Sequence, residues 1–241
     1  MTSAINFIID GVEVTAQPGQ SIIEAADEAG VYIPRLCHKP GLEPWGGCRL
    51  CTVMVNGRST SACTQPAAEG VFVENDTEEL TEFRRALIEM LFVSGNHFCM
   101  SCEKSGNCEL QGLGYRFGIT APTMPYLYPL KEVDASHPDI MIEHNRCILC
   151  ARCVRTSQDV DGKHVFDFVG RGSNKRVSVN TEARLKDTEV DVTDEALDAC
   201  PVGALLRKGQ AFGIPVGQRA YDYQPIGSDI EQQDKTDGTE S

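Results

Sequence analysis

Eleven cysteines are the residues of this chain with the most chemistry to offer, and they come in groups. Cys37, Cys48, Cys51 and Cys63 form the first. Cys99, Cys102 and Cys108 form the second. Cys147, Cys150 and Cys153 form the third, with Cys200 far downstream. The second group lacks a fourth member, and His97 stands just before it. Eleven thiolates and one imidazole make three sets of four donors. Both common iron–sulfur clusters take four protein ligands. The pattern predicts three clusters and a chain that carries electrons.

In the first set, the loop from Trp45 to Cys51 holds one Cys-x2-Cys pair behind Gly46 and Gly47. The glycines let the backbone fold tightly around an inorganic core. Backbone N–H groups can then point at sulfur, which raises a cluster's potential. Cys-x2-Cys pairs also bind zinc, but a zinc ribbon shows two such knuckles and this set has one close pair. A [2Fe–2S] centre is the expectation and zinc the alternative. In the second set, the ligand count asks for a fourth donor and His97 sits inside the loop. His38 adjoins Cys37 and reads as a neighbour of the first set.

The third set, Cys147-x2-Cys150-x2-Cys153, is the run found in bacterial ferredoxins. Three cysteines on so tight a turn suit three corners of a [4Fe–4S] cube and suit tetrahedral zinc poorly. A two-cluster ferredoxin would place another cysteine at position 157, which is Ser157 here. The run therefore serves one cluster, with Cys200 as the remote ligand. Pro201 turns the chain sharply after it.

Local signals predict the elements that position these sets. Residues 5–15 alternate around Asp10-Gly11, a two-residue hairpin signal. Ser21 with Glu24 forms a capping box ahead of a helix from Ile22 to Ala29, stopped by Gly30. A second hairpin turns at Asn56-Gly57, and Phe72-Val73 suggests another strand. Asp76 with Glu79 reads as a second capping box, before a packing stripe of Leu80, Phe83, Leu87, Met90 and Leu91. The fold class is α+β. Residues 1–75 are expected to form a [2Fe–2S] domain, 76–120 a helix with the second set, and 121–136 a proline-bearing linker. Residues 137–208 form the third unit and 209–241 a tail, whose acidic end from Gly227 reads as disordered.

The bulk numbers exclude several classes. Hydrophobic residues make up 41%, ordinary for a globular protein. No apolar run approaches the ~18 residues of a membrane helix. The N-terminus shows no basic region before an apolar stretch, so no signal peptide is expected. A reducing, cytoplasmic setting follows, in which cysteines are metal ligands before they are disulfides. The net charge of −13 argues against nucleic acid, which needs a basic face, and can help orient the chain on a partner. No dinucleotide fingerprint, phosphate loop or nucleophile–base pair stands out. A two-electron substrate must react on a partner.

Cys-x10-Cys-x2-Cys-x11-Cys in a β-grasp layout resembles the N-terminal domain of the large iron–sulfur subunit of respiratory complex I. It also resembles the matching domains of iron-only and NAD-reducing hydrogenases. The segment from Gly95 to Gln111 resembles the same families, where three cysteines and one histidine hold a [4Fe–4S] cluster. Those families commonly space them His-x3-Cys. His97-x-Cys99 is two residues shorter and looks like the small diaphorase subunit of NAD-reducing nickel–iron hydrogenases. Gly170-Arg-Gly172 fits the pattern too. The resemblance covers about residues 1–210, without the large molybdopterin-enzyme-like domain that follows in the complex I subunit or the catalytic domain that follows in iron-only hydrogenases.

The resemblance implies one [2Fe–2S] and two [4Fe–4S] clusters and a non-catalytic relay subunit of an oxidoreductase. Its hetero-oligomeric partners would be a flavin/NAD-binding diaphorase subunit, carrying FMN and NAD, and the hydrogenase small and large subunits. A relay in an NAD-dependent formate dehydrogenase or a complex I-like assembly is the first alternative. A zinc-stabilised binding module is the second.

Overall fold

The computed structural model describes residues 4–180 and 184–231. Strands β1 (Ile5–Ile9) and β2 (Val12–Ala16) pair antiparallel. Asp10 and Gly11 both take positive φ, 48° and 86°, as the tight hairpin turn requires. Helix α1 (Ile22–Glu28) starts at the expected Ser21–Glu24 capping box. The hairpin β3 (Thr52–Val55) and β4 (Arg58–Ser61) turns at Asn56-Gly57. Strand β5 (Phe72–Glu74) then enters the sheet between β1 and β3, giving the order β2-β1-β5-β3-β4. Ile22, Ile23, Ala25 and Ala26 of α1 pack on Phe7, Ile9, Val14, Val53 and Val73 of this sheet.

Helix α2 (Glu78–Val93) is capped by Thr77, whose hydroxyl accepts from the Leu80 N–H at 3.2 Å. This corrects the expected Asp76–Glu79 box by one residue. The packing stripe also differs. Leu80 and Ile88 are buried and Leu87 and Leu91 pack partly, but Phe83 and Met90 are 40% and 45% exposed. The buried face belongs instead to a line that includes Arg84, only 2% exposed.

Helix α3 (Glu109–Arg116), unmarked by any local sequence signal, follows the second cysteine set. Strand β6 (Val133–Asp134) lies in the segment expected as linker and pairs with β7 (Ile140–Glu143). That segment is tied down elsewhere as well. The Leu127 N–H donates to Val93 O at 2.9 Å, and Asn96 donates to Pro129 O at 3.0 Å. Helix α4 (Arg152–Asp159), the hairpin β8 (Phe166–Val169) and β9 (Arg176–Val179), and α5 (Glu195–Asp198) complete the third unit with β10 (Leu205–Arg207). One core joins α2 and α3 to this unit through Ile88, Leu110, Leu113, Ile140, Phe166 and Leu185.

The tail is not simply a solvated end. The Tyr221 N–H donates to Gly106 O at 2.9 Å, and Arg116 reaches Ile226 O at 2.9 Å and Glu231 at 2.5 Å. Ile226 is buried, and α6 (Ser228–Glu231) follows it. The expected disorder from Gly227 is therefore corrected for residues 227–231. Residues 232–241 lie outside the described residues.

Candidate metal centres

The first set gathers from the loop between α1 and β3, which carries Cys37, Cys48 and Cys51, and from the turn after β4, which carries Cys63. Cys37, Cys51 and Cys63 are buried and Cys48 is half-buried. The Cys51 and Cys63 sulfurs stand 3.4 Å apart, and the Cys37 N–H points at Cys48 Sγ from 3.5 Å. Hydrogen bonds from the Cys48 and Cys63 thiols hold Cys37 down to about 2, while Cys48 and Cys63 are pushed up in return. All four thiols thus share one small volume. Gly46 takes φ 64° at the approach to Cys48, where a side chain is strained and would crowd Thr64.

In the second set, Cys99 opens a single 3-10 turn and Cys108 is the residue before α3. Burial pushes Cys108 up to about 12, and Cys102 and Cys99 add to that shift, which places the three thiols together. The His97 ring sits edge-on to Phe92 at 5.7 Å and beside Gly95, where a Cβ would stand 2.6 Å from Nε2. Its buried Nε2 has no hydrogen-bond partner. Burial, then Arg146, lowers its pKa to about 4, so the imidazole is neutral at pH 7 and has a lone pair to offer. His38 also has unpartnered ring nitrogens. The charged groups that influence it are Arg35, Asp27, Glu24 and Arg152.

Cys147, Cys150, Cys153 and Cys200 line one apolar cavity with Ile142, Phe166 and Val177. Leu149 and Ala151 take left-handed φ of 55° and 62°, which wraps the turn so that its sulfurs face this cavity. Burial pushes Cys147 up to about 11 and Cys150 to about 12. Ser157 is buried and its hydroxyl accepts from the Val165 N–H at 2.9 Å, a structural task that needs no metal.

Buried thiols of this kind stay protonated unless a cation compensates their charge. Their apolar surroundings and the free Nε2 of His97 fit iron–sulfur centres.

Sequence reasoning missed the arginines that knit the ligand loops together. Arg155 of α4 donates to the carbonyl of Cys37 at 2.5 Å, and Arg152 donates to the His38 carbonyl at 2.7 Å while pairing with Glu109 at 2.6 Å. The third set's helix thereby grips the first set's loop. On the other side, the Glu109 N–H donates to Pro201 O at 2.9 Å. A Cβ on Gly203 would lie 2.8 Å from Cys102 Sγ. The third set therefore adjoins both others. Their position beside cysteines was the only available signal for Arg152 and Arg155; Arg84 had none.

Three family models match. A 2Fe-2S iron-sulfur cluster binding domain covers residues 2–78, an NADH-ubiquinone oxidoreductase-G iron-sulfur binding region 84–122, and a NADH-quinone oxidoreductase subunit 3 ferredoxin-like domain 137–206. The gamma subunit of the NAD-reducing hydrogenase HoxS of Cupriavidus necator is 38% identical over 224 residues, covering 92% of this chain and 95% of that protein. The mitochondrial NADH-ubiquinone oxidoreductase 78 kDa subunit of Candida albicans is 34% identical over 86% of this chain, which spans 29% of that longer protein. A chain in the crystal structure of an NAD+-reducing [NiFe]-hydrogenase in the H2-reduced state superimposes with a TM-score of 0.91 at 45% identity, over 93% of this chain and 96% of that one. These domains support one [2Fe–2S] and two [4Fe–4S] centres, and the zinc module is not favoured. The chain belongs to the family of the gamma, iron–sulfur subunit of NAD-reducing hydrogenases.

Proposed function

We propose that the chain relays electrons between a hydrogenase module and a flavin/NAD diaphorase subunit, in the overall reaction H2 + NAD+ → NADH + H+. The observation that carries this reading is the adjacency of three buried cysteine sets, with the third touching both others. Each centre, when bound, takes up and releases one electron. The residues of this chain bind the centres, exclude water from them and fix their spacing.

Cys37, Cys48, Cys51 and Cys63 would hold the [2Fe–2S] centre. His97, Cys99, Cys102 and Cys108 would hold one [4Fe–4S] centre, and Cys147, Cys150, Cys153 and Cys200 the other. The neutral, unpartnered His97 ring supports its place as the fourth donor. The corresponding units are residues 1–75, 76–120 and 137–208, joined by 121–136 and followed by the tail 209–241. FMN and NAD would sit on the diaphorase subunit, and hydrogen would react on the hydrogenase small and large subunits, in the cytoplasm. No helix among the described residues is long and apolar enough to cross a membrane.

Purification of the chain with its partners from the native source, followed by assay with NAD+ and either hydrogen or formate, tests the proposal. Hydrogen-dependent NADH formation is expected. Activity with formate alone would move the chain to a formate dehydrogenase.

A further inference from the structure

Arg84 lies on α2 with 2% of its surface exposed and forms no salt bridge among the described residues. Its guanidinium donates to Leu50 O at 3.1 Å, Thr52 O at 2.9 Å, Asn75 O at 2.7 Å and Asn75 Oδ1 at 2.7 Å. Two of those acceptors are the carbonyls on either side of Cys51. A buried cation without a counter-charge is strongly disfavoured. Burial lowers the Arg84 pKa only to about 10. The cation is therefore present at neutral pH, and the carbonyls it holds flank a residue of the first cysteine set.

We propose that Arg84 is the fixed counter-charge of the first centre and a positioning residue that raises its reduction potential. The proposal rests on the reading of Cys37, Cys48, Cys51 and Cys63 as [2Fe–2S] ligands. One added electron increases the negative charge among these four sulfurs by one unit. A permanent positive charge behind Cys51 favours that reduced state, and it acts across a dry interior that screens poorly. The forked guanidinium also fixes the carbonyls flanking Cys51 and ties them to Asn75, at the junction of β5 and α2. A lysine would keep the charge without the fork.

The test is an EPR-monitored redox titration of the intact complex carrying Arg84→Gln or Arg84→Lys. Arg84→Gln is expected to shift the [2Fe–2S] reduction equilibrium at least tenfold toward the oxidised state, 59 mV for one electron. Arg84→Lys is expected to shift it less than threefold, and the [4Fe–4S] midpoints are expected to stay in place in both. A Gln variant with its two-iron signal intact and a midpoint within threefold of the parent overturns the proposal. So do equal shifts in the two variants, which would reduce Arg84 to a structural brace. If Arg84→Gln does not retain the centre, Arg84→Lys decides: a retained centre within threefold of the parent supports the charge, and a lost or tenfold-shifted one overturns it. Absence of a two-iron signal from the parent chain would instead refute the ligand assignment.

Discussion

An imidazole in the place of a thiolate removes one negative charge from a cluster's ligand set. His97 is held neutral by its own burial, so it supplies a lone pair and no charge. His97→Cys is therefore expected to keep a [4Fe–4S] centre but lower its potential, because the added thiolate disfavours the reduced form. An unchanged midpoint for this centre would remove His97 from the ligand set. Gly203 makes a second test. Its missing Cβ leaves room for Cys102 Sγ at a hypothetical 2.8 Å, closer than such atoms approach. Gly203→Ala is expected to cost the second centre, with iron falling by about four atoms per chain, as measured by iron assay. At this scale the sequence was informative about sulfur because ligand spacing in a turn is a local property. It was silent about Arg84, since an arginine in a helical stripe looks like a surface residue until tertiary packing buries it.

The hairpins at Asp10-Gly11 and Asn56-Gly57 and the Ser21 cap were legible because each is settled within a few residues. The start of α2 was missed by one residue, since Asp76 and Thr77 both offer capping oxygens and only Thr77 reaches Leu80. Thr77→Ala is expected to destabilise the chain by about 1 kcal/mol, read by urea unfolding. Helix α3 and the strap from Gly217 to Glu231 gave no periodic signal. The strap is held by long-range polar contacts, which a linear pattern does not record. Asp222 accepts from Arg219 Nη2 at 2.6 Å and Gly217 N at 2.5 Å, and the Arg219 pairing holds its carboxyl down to about 2. Stability from this group is present above the ordinary value of 3.8 and is lost as pH falls through about 2. Asp222→Asn is expected to speed amide exchange at Ala220 and Tyr221 at pH 7, and unchanged exchange would show that the clamp does not depend on the charge.

Across the whole molecule the units are interlocked rather than strung out. Arg155 binds the third set's helix to the first set's loop, and the turn after Cys200 rests on the second set. The centres thus complete the interior as well as the electron path. Without iron, burial keeps Cys147 at about 11 and Cys150 at about 12, against an ordinary 9.0. The unfolded chain then ionises first, so the iron-free fold is expected to weaken as pH rises from about 9 toward 12. Urea unfolding of chelator-treated protein at pH 7 and pH 10 checks this. The most direct test of the three-centre assignment is the Mössbauer spectrum of the iron-57-labelled chain. About ten irons per chain are expected, roughly one fifth of the area in a two-iron centre and four fifths in four-iron centres. About six irons, about eight irons with no two-iron component, or zinc in place of iron would contradict it.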